Sequence, residues 1–221
     1  MTGSTFGTQV PTRVLLVDDH QLMSSTLQLA LETEPDIRVV GLARNLAEAR
    51  TALTSTLPDV VLLDQRLPDG DGVAAIPDFH AQRPDAQIVV LTANTSEAVL
   101  VAAVEAGAAG FVTKTSTIEE VVAAVRAAAV GETVIAPALL TRLLRRVVRH
   151  EHGLGSDLTP REREILELLA EGLSNAAIAE RLSVSVYTVR NHIANLSTKL
   201  GAHSKLEALS IAVREGLLPG G

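Results

Sequence analysis

The sequence predicts an α/β domain built on a doubly wound, five-stranded parallel sheet in the order 2-1-3-4-5, followed by an all-α domain. Three observations lead there. Short, nearly continuous apolar runs recur at 14–17, 38–42, 60–63, 88–91 and 110–112. Amphipathic stretches at 21–33, 46–57 and 96–106 lie between them, and apolar strands alternating with helices argue for a parallel sheet covered on both faces. Beyond about residue 115 the strand pattern stops and only helical spacing remains.

The elements can be justified in order. "VLLV" (14–17) runs into the acid pair Asp18–Asp19, and "VVLL" (60–63) runs into Asp64 and then turns through Pro68, Gly70 and Gly72. A carboxylate directly after a buried strand is costly unless something pairs with it or uses it. Pro77 falls inside the third helical stretch and is expected to kink that helix or delay its start. "IVVLTA" brings the fourth strand to Thr92, and "GFVTK" brings the fifth to Lys114. "TIEEVVAAVRAAAV" then closes at Gly131; 137–150 reads as a helix with four arginines, and "EHGLGSD" as a hinge, so the boundary falls within 131–157. From Thr159 three or four short helices follow. Ile165, Leu168 and Leu169 share one face, Ile178 and Leu182 another, and Val189, Ile193, Leu196 and Leu200 fall at helical spacing. Ser174 and Ser185 are placed to cap the second and third of them.

Bulk properties narrow the function. A chain of 221 residues, 47% hydrophobic, has room for two ordinary domains. With no cysteine, disulfides, thiolate metal sites and cysteine nucleophiles are excluded. Aromatics at 2% argue against a base-stacking platform and against RNA as a ligand. The first residues lack the apolar core of a signal peptide, and no uncharged apolar run approaches the ~20 residues of a membrane span, so a soluble cytoplasmic protein is expected. Net charge is −7. It is concentrated in the first 137 residues, whereas 186–206 carries Arg190, Lys199 and Lys205 and no acid. Such asymmetry suggests two different partners.

In doubly wound sheets ligands bind beyond the carboxyl ends of the strands, where the winding order reverses. With strands one and three adjacent, Asp18, Asp19 and Asp64 share one crevice. Three carboxylates at that range repel unless a cation offsets them, and an all-oxygen donor set suits a hard ion, Mg²⁺. Thr92 and Lys114 add a hydroxyl donor and an ammonium. Alone, each residue has an ordinary explanation: a cap, a strand end, a solvated lysine. Together they form a site for a transferable phosphoryl group, with Asp64 as the nucleophile that becomes an acyl phosphate.

These motifs carry a resemblance. Residues 12–131 resemble the flavodoxin-like receiver domain of two-component response regulators, through "VDDH", "VLLDQRLPDGDG", "VVLTA" and "GAAGFVTK". The resemblance implies phosphorylation of Asp64 by a sensor histidine kinase and Mg²⁺ held by Asp19, Asp64 and the backbone carbonyl of Arg66, with Asp18 in support. It also implies a conformational switch through Thr92 and Phe111.

In the last part, the helix expected at about 186–200 presents Tyr187, Asn191, Ala194 and Thr198, flanked by Arg190 and Asn195, opposite its apolar face. Arg and Asn make bidentate contacts to guanine and adenine edges. Residues 157–217 resemble a LuxR/NarL-type helix-turn-helix through "LTPRERE", "EGLSNAAIAERLSVSVYTVRNHI" and "KLGAHSKLEAL". That likeness implies a helix entering the major groove, DNA contacts by Thr188, Arg190, Asn191 and Lys199, and a last helix from Ser204 that pairs two copies on inverted half-sites. Residue 194, often basic in relatives, is Ala here, so base preference does not transfer.

The chain is thus identified as a NarL/FixJ-type response regulator with a linker at 132–156, and not an enzyme. One alternative is an orphan regulator that binds DNA without phosphorylation. A phosphatase of the haloacid-dehalogenase type would want a second acid two positions after its nucleophile. Position 66 is Arg and position 20 is His.

Overall fold

The computed structural model describes residues 10–93, 96–133 and 158–218. The expected linker helix and hinge, 137–157, lie outside the described residues. The strands are β1 Thr12–Val17, β2 Ile37–Ala43, β3 Val60–Asp64, β4 Gln87–Thr92 and β5 Gly110–Thr113. They form one parallel sheet in the order β2-β1-β3-β4-β5, the doubly wound arrangement expected. Between and after the strands run α1 Gln21–Glu32, α2 Leu46–Thr56, α3 Gly72–Gln82, α4 Glu97–Glu105 and α5 Ile118–Ala129.

Strand side chains alternate between faces, and here both faces are covered. Leu15, Val61 and Val90 pack under α2 and α3, while Val14, Leu62 and Val89 pack under α1 and α5. That double burial is why these strands read as unbroken apolar runs. Each such side chain contributes roughly 1.5–3 kcal/mol by leaving water. Helix ends are set locally. Asn45 accepts a hydrogen bond from Glu48 N at the start of α2, and Thr117 forms a reciprocal capping box with Glu120 at the start of α5. At its other end α2 stops at Leu57 in a left-handed conformation (φ 44°), and Arg13 Nε donates to the carbonyls of Thr56 and Leu57 at 3.2 Å each.

Pro77 corrects one expectation. It does not delay α3, which begins at Gly72, five residues earlier, and continues past it. The proline removes the bond that its own N–H would make. The helix start is fixed by Asp71, whose carboxylate accepts from the amides of Val73 and Ala74.

The C-terminal part consists of α6 Pro160–Ala170, α7 Asn175–Arg181, α8 Val186–Leu200 and α9 Lys205–Arg214. Thr159 and Glu162 form a capping box ahead of α6, with Pro160 in the first turn. Ser174, Ser185 and Ser204 cap the other three helices through their hydroxyls. Gly201 ends α8 in the left-handed region. The apolar seam of α8 (Val189, Ile193, Leu196, Leu200) is buried as its spacing required. This core does not stop at the helices, because Leu100 and Val104 of α4 belong to the same cluster.

Candidate functional site

Sheet register assembles the site. Val17 of β1 pairs with Leu63 of β3, so the next residues, Asp18 and Asp64, emerge side by side. Asp64 pairs with Leu91 of β4, which sets Thr92 one step beyond; Thr92 pairs with Thr113 of β5, so Lys114 follows on the same edge. Lys114 Nζ donates to Asp64 Oδ2 at 2.6 Å and to Asp18 Oδ2 at 3.0 Å. Asp18 and Asp64 are each only 2% exposed, whereas Asp19 opens to solvent.

Burial raises the Asp64 carboxyl above the ordinary carboxylate value, and the Lys114 ammonium only partly offsets it. Burial also opposes the charge on Lys114, but hydrogen bonds and attraction from Asp64 and Asp18 outweigh it and raise its pKa. Lys114 therefore stays charged, and it holds a single Asp64 oxygen, leaving the other to the Arg66 amide at 3.2 Å.

His20 joins the crevice, which the sequence reading did not foresee. Its Nδ1 lies 2.8 Å from Asp19 Oδ1, 3.1 Å from Asp18 Oδ1 and 3.9 Å from Asp64 Oδ2. One ligand atom each from Asp18, Asp19, His20 and Asp64 lies within 4.8 Å of the others. Three convergent carboxylates fit a hard divalent cation. The signal was the third letter of "DDH", and only geometry revealed its direction.

The loop after Asp64 is held from both sides. Asp69 accepts from the amides of Leu46 and Ala47, fixing the loop to the start of α2. Gly72 N donates to Gln65 O at 2.7 Å. A Cβ on Gly72 would sit 2.1 Å from the carbonyl oxygen of Asp64, so only glycine allows this approach. Gln65, also missed from sequence, is buried and accepts the Thr92 hydroxyl proton, Oγ1 to Oε1 2.7 Å. Phe111 is half-buried and packs against two clusters at once, the sheet core beneath α3 and the helical C-terminal core.

On α8, Arg190 and Asn191 are exposed, and Tyr187 is 73% exposed. Thr188 is engaged at the helix start, its hydroxyl 2.8 Å from Ser185 Oγ. Lys199 is tied to α6 by a 2.7 Å bond to buried Glu162. Burial opposes the charge on Glu162, yet Lys199 and the Thr159 amide hold its carboxyl below the ordinary value. Arg190, Ala194 and Ser197 of α8 line a cavity of about 230 Å³ together with Gln87 and Gly131 of the sheet domain.

Three further contacts join the two parts. Ser204 Oγ donates to Ala108 O at 2.9 Å. The His80 and His203 rings stack at 4.7 Å. Glu132 accepts from Lys205 Nζ at 3.1 Å and from Asn175 N at 2.9 Å. No helix among the described residues is long and apolar enough to cross a membrane.

Residues 14–126 match the response regulator receiver domain, and residues 156–212 match the LuxR family of bacterial regulatory proteins. The chain is 37% identical over 203 residues to the DNA-binding transcriptional activator DevR/DosR of Mycobacterium tuberculosis, covering 90% of this chain and 93% of that protein. It is 36% identical over 209 residues to the transcriptional regulatory protein LiaR of Bacillus subtilis, covering 93% and 99%. Among solved structures it is similar to the response regulator ChrA of a heme-sensing two-component system (31% identity, TM-score 0.50, 95% of this chain and 100% of that one). It is also similar to RcsB solved as two dimers bound to two parallel DNAs (26% identity, TM-score 0.55, 92% and 98%).

Proposed function

Because the chain belongs to the two-component response regulators that join a receiver domain to a LuxR-type DNA-binding domain, we propose that Asp64 accepts a phosphoryl group and that this controls DNA binding by α8. The observation that carries the reading is Lys114 bridging Asp18 and Asp64 at the strand edge where Thr92 also ends. The donor is a phosphohistidine of a sensor kinase. An Asp64 carboxylate oxygen attacks phosphorus, the P–N bond to the histidine breaks, and its electron pair leaves with the imidazole. Mg²⁺, held by Asp19, Asp64 and the Arg66 carbonyl with Asp18 in support, would offset charge on the phosphoryl oxygens. Lys114 orients the carboxylate and neutralises a second oxygen, and Thr92 donates its hydroxyl to a third.

The unphosphorylated chain is closed, with the DNA-binding helices seated on α4 and part of α8 (Arg190, Ala194, Ser197) lining a cavity shared with the receiver. Phosphorylation shifts a pre-existing equilibrium between two arrangements. Thr92 moves onto the phosphoryl group and Phe111 repacks. Since Phe111 touches both cores, its movement loosens the seat of α4 against the DNA-binding helices. The released domain then pairs with a second copy through α9 and reads inverted half-sites about one helical turn apart, with Arg190 and Asn191 on base edges and Thr188 and Lys199 near the backbone.

The test is incubation of the whole chain with Mg²⁺ and acetyl phosphate, followed by intact mass and a DNA-binding titration. Wild type gains one phosphoryl group and affinity, and the Asp64→Asn variant gains neither. An Asp64→Asn chain that still gains affinity in parallel with wild type refutes the assignment.

A further inference from the structure

Thr92 has one hydroxyl proton, and in this structure it is already committed. Its Oγ1 donates to Gln65 Oε1 at 2.7 Å, between two buried side chains. The geometry of Gln65 leaves it little choice. Its amide donates to Leu91 O at 3.0 Å and its carbonyl accepts from Gly72 N at 2.7 Å, so the backbone is pinned between β4 and the start of α3. Its side chain lines a mostly apolar cavity of about 300 Å³ between α3 and α4, together with Val73, Pro77 and Val99.

We propose that Gln65 is a positioning residue that holds Thr92 in the unphosphorylated arrangement, competing with the phosphoryl group for the same proton and so setting how much phosphorylation is needed to switch. This inference rests on the reading of Asp64 as phosphoacceptor and extends it. When Thr92 turns to the phosphoryl oxygen it must break the bond to Gln65. The carboxamide oxygen then faces apolar wall, where an acceptor left without a partner is costly. Both effects oppose switching. Removing the acceptor removes both, which predicts a shift of about threefold to tenfold, the range for one hydrogen bond.

The experiment titrates the full chain with beryllium fluoride in the presence of Mg²⁺, following binding by calorimetry and opening by DNA affinity. Gln65→Met is expected to reach half-saturation at about threefold to tenfold lower concentration than wild type. Gln65→Asn, whose shorter arm withdraws the oxygen, is expected to behave likewise and serves if the methionine variant melts early. In a Thr92→Ala background, where there is no proton to hold, either change should have no effect on half-saturation. A residue that merely packs the cavity would shift both backgrounds equally. An unchanged midpoint in the Thr92 background, or an equal shift in both, overturns the proposal. Failure of the wild type itself to bind beryllium fluoride overturns the phosphoacceptor reading instead, so the two failures are distinguishable.

Discussion

Glu132→Ala should open the unphosphorylated protein. Glu132 follows α5, its amide donating to Ala127 O at 2.8 Å, and its two carboxylate oxygens reach across to α7 and α9. One accepts from the Asn175 amide in the first turn of α7. The other meets the Lys205 ammonium, whose side chain is 7% exposed and whose pKa burial lowers despite Glu132. Without Glu132 the closed form would bury an ammonium that has lost its counterion and an amide without its acceptor.

A lost acceptor costs about 1–3 kcal/mol, and breaking a buried pair up to about 3–5. Discounted for the 22% exposure of Glu132, the combined penalty is about 2–4 kcal/mol. In the open form water solvates both groups, so the whole penalty falls on closure. Apparent DNA affinity of the unphosphorylated chain should therefore rise at least tenfold, up to the ceiling set by the reciprocal of the wild-type open fraction. Fluorescence anisotropy on a selected DNA fragment and hydrogen exchange at Asn175–Ala177 read this directly. Lys205→Met, which removes the buried charge, should close as firmly as wild type, and adding it to Glu132→Ala should recover most of the closure. Unchanged affinity and exchange in Glu132→Ala, or a further opening in the double variant, would refute the reasoning.

Three other outcomes follow from the same geometry. His80 is buried against the Gly107 carbonyl, the His203 ring and the neighbouring Glu207, and burial lowers its pKa from 6.5 to about 4. The unfolded chain therefore binds the extra proton first. The contribution of His80 to stability is full above about pH 6.5 and falls by roughly 2 kcal/mol by pH 5 and roughly 3 by pH 4, a slope that denaturant titrations should recover as the difference between wild type and His80→Phe. Gly72→Ala should abolish phosphorylation by acetyl phosphate and cost more than about 2 kcal/mol in thermal melts, because its methyl would overlap the Asp64 carbonyl. Lys199→Met should destabilise the helical domain by about 1–3 kcal/mol by stranding Glu162, and a Glu162→Gln, Lys199→Met pair should recover part of that loss. Isothermal denaturation of the three chains measures it.

The sequence alone determined what depends on local spacing. Strand runs, helix periods and the serine caps were legible because each is decided by residues within a turn or two of one another. The acidic crevice was legible too, since the strand order and one register place Asp18, Asp64, Thr92 and Lys114 at neighbouring strand ends. Of the two effects expected of Pro77, a delayed start is excluded, because Asp71 caps the helix and lets it begin at Gly72. Tertiary structure alone decided the partners. His20 between the acids, Gln65 on Thr92, Glu162 under Lys199 and Glu132 beneath Lys205 join residues whose spacing in the chain carries no periodic signal. Phe111 could be named as a switch, but its contact with two cores exists only once α4 has docked on the DNA-binding helices. Such pairings are chosen by which side chains the packed backbone brings within bonding distance, and burial then makes them strong.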